Sequence, residues 1–274
     1  MADVAKGLFI QAAGLNTHYH EDGQGEPLVL IHGSGPGVSA WANWRLVFPI
    51  LSEHYHLYAP DAVGFGDTER PEGVTYNMDL WVKHMIGFLD AKGLKKVSIV
   101  GNSMGGGLAI NLAHRYPERI NKLILMGSMG IKFPISEGLD NVWGYTPSVE
   151  NMHKCLKTFV VNQAIADADG LAEMRYKASI QPGYQESFSA MFPAPRQNGV
   201  DDMAIPEEEL RKITIPTLCI HGREDQIIPL ADTSWRLAQL LPNAELHTLC
   251  QCGHWVQIEK TVPFTRVVHE FLSR

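Results

Sequence analysis

A chain of 274 residues, 45% of them hydrophobic, can bury one large core, either as a single domain carrying an insertion or as two domains. Its formal charge of -7 comes with no block of Lys or Arg, which argues against nucleic acid or an anionic membrane surface as partner and leaves small molecules. The N-terminal MADVAKGLFIQAAG lacks the apolar run of a signal peptide and no stretch approaches the length that spans a bilayer, so a cytoplasmic protein with no membrane partner is expected.

In chain order, the segment LFIQAAGLNTHYHEDGQGEPLVLI carries two strand-like runs turning at Gly14, which predicts an antiparallel hairpin at a sheet edge. Short apolar runs ending in Gly, Pro or Asp then recur: PLVLIHG from Pro27, HLYAPD from His56, VSIVGNS from Val97, KLILMGS from Lys122 and TLCIHGRED from Thr217. Such runs suit parallel strands buried on both faces. Helical patterns lie between them, over Asn43–Glu53, Met78–Ala91, Met104–Tyr116 and Asp232–Leu240. The alternation predicts an α/β fold, a mostly parallel sheet with helices on both faces. It stops after Gly130, where the text turns helical and proline-punctuated, and resumes near ITIPTLCIHG. Residues 131–206 are therefore expected to form a helical cap inserted in a core made of residues 1–130 and 207–274. Asp61 in APDAVGFG reads as an organiser of the loop after its strand. The four cysteines, Cys155, Cys219, Cys250 and Cys252, are too few and too unevenly spaced for a disulfide scaffold or a zinc site, and are expected as buried thiols. No metal and no cofactor is expected.

Ser103 follows a predicted strand, opens a predicted helix and sits in Gly101-Asn102-Ser103-Met104-Gly105, a G-x-S-x-G pattern. A strand that turns abruptly into a helix strains the residue at the turn, and the chain closes there only if the residues two before and two after lack side chains. The serine could serve merely as a helix N-cap. As a nucleophile it needs a base, and the base an orienting acid, both at the ends of later strands. CIHGREDQIIP delivers Asp225, with Glu224 the lower-ranked rival, and LCQCGHWVQIE delivers His254. The order Ser103, Asp225, His254 is the one this architecture uses. The loop His32-Gly33-Ser34-Gly35-Pro36-Gly37 lets backbone amides approach a ligand, so the N–H groups of Ser34 and Met104 are the expected oxyanion donors.

Beyond these motifs, HGSGPG, ANWR, APDAVGFGDTERP, GNSMGGGLA, WGYTPS, RYKASIQPGYQESF, PRQNGVDD, HGREDQIIPL and CGHW together resemble the meta-cleavage-product hydrolases of the α/β-hydrolase superfamily, over nearly the whole chain. Within them the resemblance is closest to 2-hydroxymuconate semialdehyde hydrolases, with enzymes of 6-alkyl ring-fission products almost as similar. It implies the α/β-hydrolase fold with an eight-stranded sheet, and cofactor-independent hydrolysis of the C5–C6 bond of a 2-hydroxy-6-oxo-dienoate after ketonisation. Whether Ser103 forms an acyl-enzyme or activates water toward a gem-diol stays open. A small-molecule dienoate and a homo-oligomer, dimer or higher, are the implied partners.

The resemblance also maps substrate contacts onto Asn43, Asn102, Arg175 and Trp255. Each has a plainer alternative: Asn43 could cap its helix, Asn102 could be a turn residue, Arg175 could pair with Glu173 or Glu186 on a solvated helix, and Trp255 could be core. A carboxylesterase or a ligand-binding receptor on the same fold are the rival functions.

Overall fold

The computed structural model describes residues 4–274. Eight strands form one sheet in the order β1-β2-β4-β3-β5-β6-β7-β8: β1 (Leu8–Ala12), β2 (Leu15–Asp22), β3 (Pro27–Ile31), β4 (His56–Pro60), β5 (Val97–Asn102), β6 (Ile120–Met126), β7 (Thr217–Gly222) and β8 (Ala244–Leu249). Strands β3 to β8 pair in parallel, while β1 pairs antiparallel with β2 and β2 with β4. The β1–β2 turn falls on Ala13 and Gly14, both at positive φ (51° and 81°), the backbone that a two-residue hairpin turn requires. The expected edge hairpin and parallel sheet are both present.

Side chains alternate across the pleat, so each central strand feeds two cores. Val29, Ile31, Ile99, Leu123 and Leu125 pack on one face with Trp81, Met85 and Phe88 of helix Met78–Ala91 and Leu108 of helix Met104–Arg115. Leu28, Leu30, Val100, Ile124 and Met126 pack on the other with Trp44, Phe48, Leu51 and Phe264. Burial on both faces is why these strands read as unbroken apolar runs rather than alternating ones. Between β6 and β7 the chain makes helices Glu137–Trp143, Val149–Phe159, Gln163–Ala166, Leu171–Ser179, Tyr184–Met191, Gln197–Met203 and Glu207–Leu210. Among the described residues no helix is long and apolar enough to cross a membrane.

Two expectations need correction. The helix expected over Asn43–Glu53 is two short helices, Ala40–Trp44 and Phe48–Leu51. Pro49 lacks the N–H a continuous helix would use and its ring crowds the preceding turn, so the second helix restarts with proline in its first turn. The first begins earlier because Ser39 caps it, its Oγ accepting from the Ala42 N–H at 3.1 Å. Of the cysteines, Cys155, Cys219 and Cys252 are buried but Cys250 is exposed, at the bend where β8 leaves the sheet. Burial pushes the Cys155 thiol up to about 11 and the Cys219 and Cys252 thiols to about 12, which makes them inert packing groups at neutral pH.

Asp61 organises its loop as expected. Its Oδ1 accepts from the Ala40 N–H at 2.6 Å, and its Oδ2 from the Asp67 N–H at 3.0 Å and His18 Nδ1 at 2.7 Å. Burial works against the charge, but the His18 hydrogen bond, nearby imidazoles and the Ala40 amide hold the carboxyl below its ordinary value. The same loop sets a pH dependence through His84. This buried ring accepts from the Val63 N–H at Nδ1 (3.2 Å), so Nε2 carries the proton and donates to Thr17 Oγ1 (2.8 Å). Burial lowers its pKa to about 4, so the unfolded chain binds a proton that the folded chain refuses. The contribution to stability is complete above the ordinary histidine value and is lost as pH falls toward 4, by roughly 3 kcal/mol. Denaturant titrations of wild type and His84→Gln between pH 7 and 4.5 check this: the variant should lose that part of the slope.

Candidate active site

The carboxyl ends of β5, β7 and β8 bring together residues that are far apart in the chain. Ser103 sits between β5 and helix Met104–Arg115 with φ 56° and ψ -117°, a conformation that non-glycine residues rarely adopt. The turn is held by the Ser103 N–H donating to Met126 O (2.9 Å) and by the Ser103 carbonyl accepting from the N–H groups of Gly106, Gly107 and Met129. Gly101 and Gly105 are required here: a Cβ on Gly101 would collide with the Gly105 backbone, and one on Gly105 with the carbonyls of Ile31 and His32. Ser103 makes no side-chain capping bond, so the plain N-cap role is not the one it plays.

His254 is buried, with Nδ1 2.7 Å from Asp225 Oδ2. A nitrogen facing a carboxylate carries the proton, which leaves Nε2 with the lone pair a base needs. Asp225 Oδ1 accepts from the N–H groups of Ile227 (2.8 Å) and Ile228 (2.9 Å). Burial opposes ionisation of Asp225, but the His254 charge and the hydrogen bonds from His221 and His254 hold its carboxyl far below the usual range. Glu224, the rival acid, instead accepts from the Cys252 N–H and pairs with Arg223. Among the described residues no hydrogen bond joins the Ser103 hydroxyl to His254, a link that in ligand-free sites is often long and tightens on binding.

Gly33 packs against the elbow so closely that a Cβ there would lie 3.1 Å from Ser103 Cβ. The Ser34 N–H makes no hydrogen bond among the described residues, and Met104, first residue of its helix, has no i-4 carbonyl for its own N–H. Two amides beside a strained serine are what an oxyanion requires. The hydroxyl of Ser34 accepts from Trp143 Nε1 at 2.9 Å, and Trp143 stacks on Phe192 at 4.2 Å. Sequence reading missed this tie; nothing local marks a contact across 109 positions.

One cleft is lined by Gly33, Ser34, Gly35, Val38, Asn43, Asn102, Phe159, Arg175, His254 and Trp255, and a neighbouring one by Asn43, Arg45, Arg175, Trp255 and Gln257 among others. All four residues mapped as substrate contacts therefore meet at the same place. Asn43 does not cap its helix, since Ser39 does, and its buried Nδ2 has no partner among the described residues. Arg175 Nε is likewise buried without a partner, and Nη2 reaches only Pro36 O at 3.4 Å. Glu173 and Glu186 are exposed and take no part. Burial first, and then the nearby Arg45, lower the Arg175 pKa to about 10, so it stays charged at neutral pH. Asn102 Nδ2 donates to Met126 O at 3.3 Å, and Trp255 stacks on Phe159 (4.7 Å, 7°) as part of the cleft wall. A cleft with two unpartnered buried donors and no facing carboxylate suits an anion.

A strained serine at the sheet crest, beside a His–Asp pair and two free amides, defines a serine hydrolase site. A family model described as alpha/beta hydrolase fold matches residues 26–152 and 162–261. The chain is 54% identical over 267 residues to a 2-hydroxymuconate semialdehyde hydrolase of Pseudomonas sp. strain CF600, covering 97% of this chain and 94% of the relative. It is 51% identical to a 2-hydroxy-6-oxo-2,4-heptadienoate hydrolase of Pseudomonas putida strain F1, covering 97% and 96%. A solved meta-cleavage product hydrolase from Pseudomonas fluorescens IP01, an S103A mutant complexed with acetates, superposes with a TM-score of 0.96 at 54% identity, covering 97% of each chain. The protein belongs to the meta-cleavage product hydrolases of the alpha/beta hydrolase family.

Proposed function

We propose that this chain hydrolyses the C5–C6 bond of 2-hydroxymuconate semialdehyde, giving 2-hydroxypenta-2,4-dienoate and formate. The observation that carries the reading is the cleft that Arg175 and Asn43 line together with His254, with Arg175 Nε and Asn43 Nδ2 buried and, among the described residues, unpartnered. Such donors suit the carboxylate and 2-oxygen at one end of a dienoate, with C6 at the elbow.

A carbanion is a poor leaving group, so the dienol is first converted to its 2-keto tautomer, with His254 carrying the proton to C5. Electrons leaving the C5–C6 bond then flow into a conjugated enone. Ser103, giving its proton to His254 with Asp225 behind it, attacks C6, and the Ser34 and Met104 amides hold the oxyanion. The dienolate that leaves takes the proton held by His254 and departs as 2-hydroxypenta-2,4-dienoate, and water hydrolyses the formyl ester left on Ser103 to formate. Asn102 and Trp255 complete the substrate contacts. In this reading residues 131–206 are the cap that encloses the site over a core of residues 1–130 and 207–274, and the protein works as a cytoplasmic homo-oligomer, which light scattering tests.

The second reading is a 6-alkyl substrate, favoured by the 51% identity to a heptadienoate hydrolase. Kinetics on the 6-hydrogen, 6-methyl and 6-phenyl compounds separate the two. One methyl of misfit changes discrimination by only about 1–3 kcal/mol, so methyl should be tolerated. From hydrogen to phenyl, kcat/KM should fall by at least about a hundredfold, or roughly 2.7 kcal/mol. Methyl clearly above hydrogen selects the alkyl substrate, and a preference for phenyl overturns both.

A further inference from the structure

His221 is a histidine that neither the elbow, the oxyanion loop nor the cleft uses. It stands in β7 with its side chain fully buried, four residues before Asp225. Its Nε2 lies 2.9 Å from Ile228 O and 3.2 Å from Asp225 Oδ2. Both are acceptors, so Nε2 carries the hydrogen; Ile228 O receives it, and Asp225 Oδ2 stands close beside it. Nδ1 lies 2.7 Å from the hydroxyl of buried Ser234, which donates to it in the neutral ring. The result is a continuous chain, Ser234 to His221 to Asp225 to His254, inside the protein.

This chain bears on the second oxygen of the carboxylate. Oδ1 is pinned by two amides of its own loop, whereas Oδ2 receives His254 at 2.7 Å and would have only that donor without His221. A buried carboxylate with an unfilled acceptor site is free to pull harder on the one donor left to it. We propose that His221 is a positioning residue for the reaction: its Nε2–H, oriented by Ser234, lies against Asp225 Oδ2, holds it toward His254 and shares the carboxylate charge. This rests on the roles proposed above for Asp225 and His254.

Other charged or titratable groups around His254 remain in place when His221 is changed. They are Glu224 on the Cys252 N–H, Glu259 on the Gly253 N–H, the Cys252 thiol and, across the cleft, Arg175. His221 does not line the cleft, so its loss should spare substrate binding.

The test is the pH dependence of kcat and KM for dienoate cleavage in His221→Leu, which removes the donor, and His221→Gln, whose amide N–H reaches the place of Nε2. His221→Leu should lower kcat about ten- to a hundredfold near neutral pH with KM unchanged, the scale of a displaced catalytic group. More charge on the carboxylate favours the imidazolium, so the acid limb of the profile should move up by about one pH unit and activity should recover toward alkaline pH. His221→Gln should restore most of both. A folded His221→Leu with an unmoved acid limb overturns the proposal, as does an equal loss in both variants with no change in profile shape. Should His221→Leu not fold, Ser234→Ala decides: an upward shift of the acid limb supports the assignment and an unmoved limb overturns it. His254→Ala is measured alongside, because full cleavage by that variant would refute the base itself rather than the part played by His221.

Discussion

Replacing Ser103 by alanine is expected to lower kcat for C–C cleavage by at least about a thousandfold while substrate still binds, since loss of a nucleophile commonly costs several orders of magnitude. The elbow is the reason. A positive φ at a non-glycine residue is strain that the surrounding structure must hold, and here four backbone hydrogen bonds and two obligatory glycines hold it. Alanine keeps the turn and removes only the hydroxyl. Ketonisation runs through His254 in the proposed mechanism, so stopped-flow absorbance on the variant should retain the early spectral phase and lose the later one. A variant with more than about a tenth of wild-type turnover would remove Ser103 from the mechanism, given that scale.

Changing Arg175 to glutamine should reduce kcat/KM for the dienoate by about two to three orders of magnitude, roughly 3 to 4 kcal/mol. The guanidinium is charged at neutral pH, its Nε is buried and, among the described residues, it has no carboxylate partner, while Arg45 nearby adds to its positive field. A charge held in that state gains from an anionic ligand what it lacks in the free protein, and the planar fork can grip a carboxylate through two bonds. The effect must depend on the substrate's charge. Small neutral esters that react at the same serine carry no carboxylate, and their hydrolysis should stay within about threefold of wild type, because only interactions made with the substrate are lost. The free variant should melt no lower than wild type, since glutamine relieves a desolvated charge. Equal losses on esters and dienoates would assign Arg175 a structural role instead.

What was legible in the sequence follows from which signals are local. Parallel strands buried on both faces announce themselves as apolar runs, and Gly14, Gly101 and Gly105 mark turns whose backbone only a residue without a side chain serves. The pairing of Asp225 with His254 is legible because strand ends in this architecture converge on the elbow. The break at Pro49 was in plain view, yet the apolar period through Trp44, Phe48 and Leu51 masked it, since both short helices face the same core. Cys250 is exposed because β8 is the edge strand, half-buried along most of its length, and neither composition nor spacing reveals an edge. The Trp143–Ser34 bond and the Ser234–His221–Asp225 chain depend on tertiary placement alone. Among twelve histidines, nothing about His221 in the sequence separates it from a packing residue.

The most direct test of the central claim is product analysis after many turnovers on 2-hydroxymuconate semialdehyde, with formate measured enzymatically and the dienoate by its absorbance. The account predicts one formate and one 2-hydroxypenta-2,4-dienoate per substrate consumed, over far more substrate than enzyme. Uptake of about one equivalent without formate, as a receptor on this fold would give, or ester hydrolysis with the dienoate left intact, would contradict it.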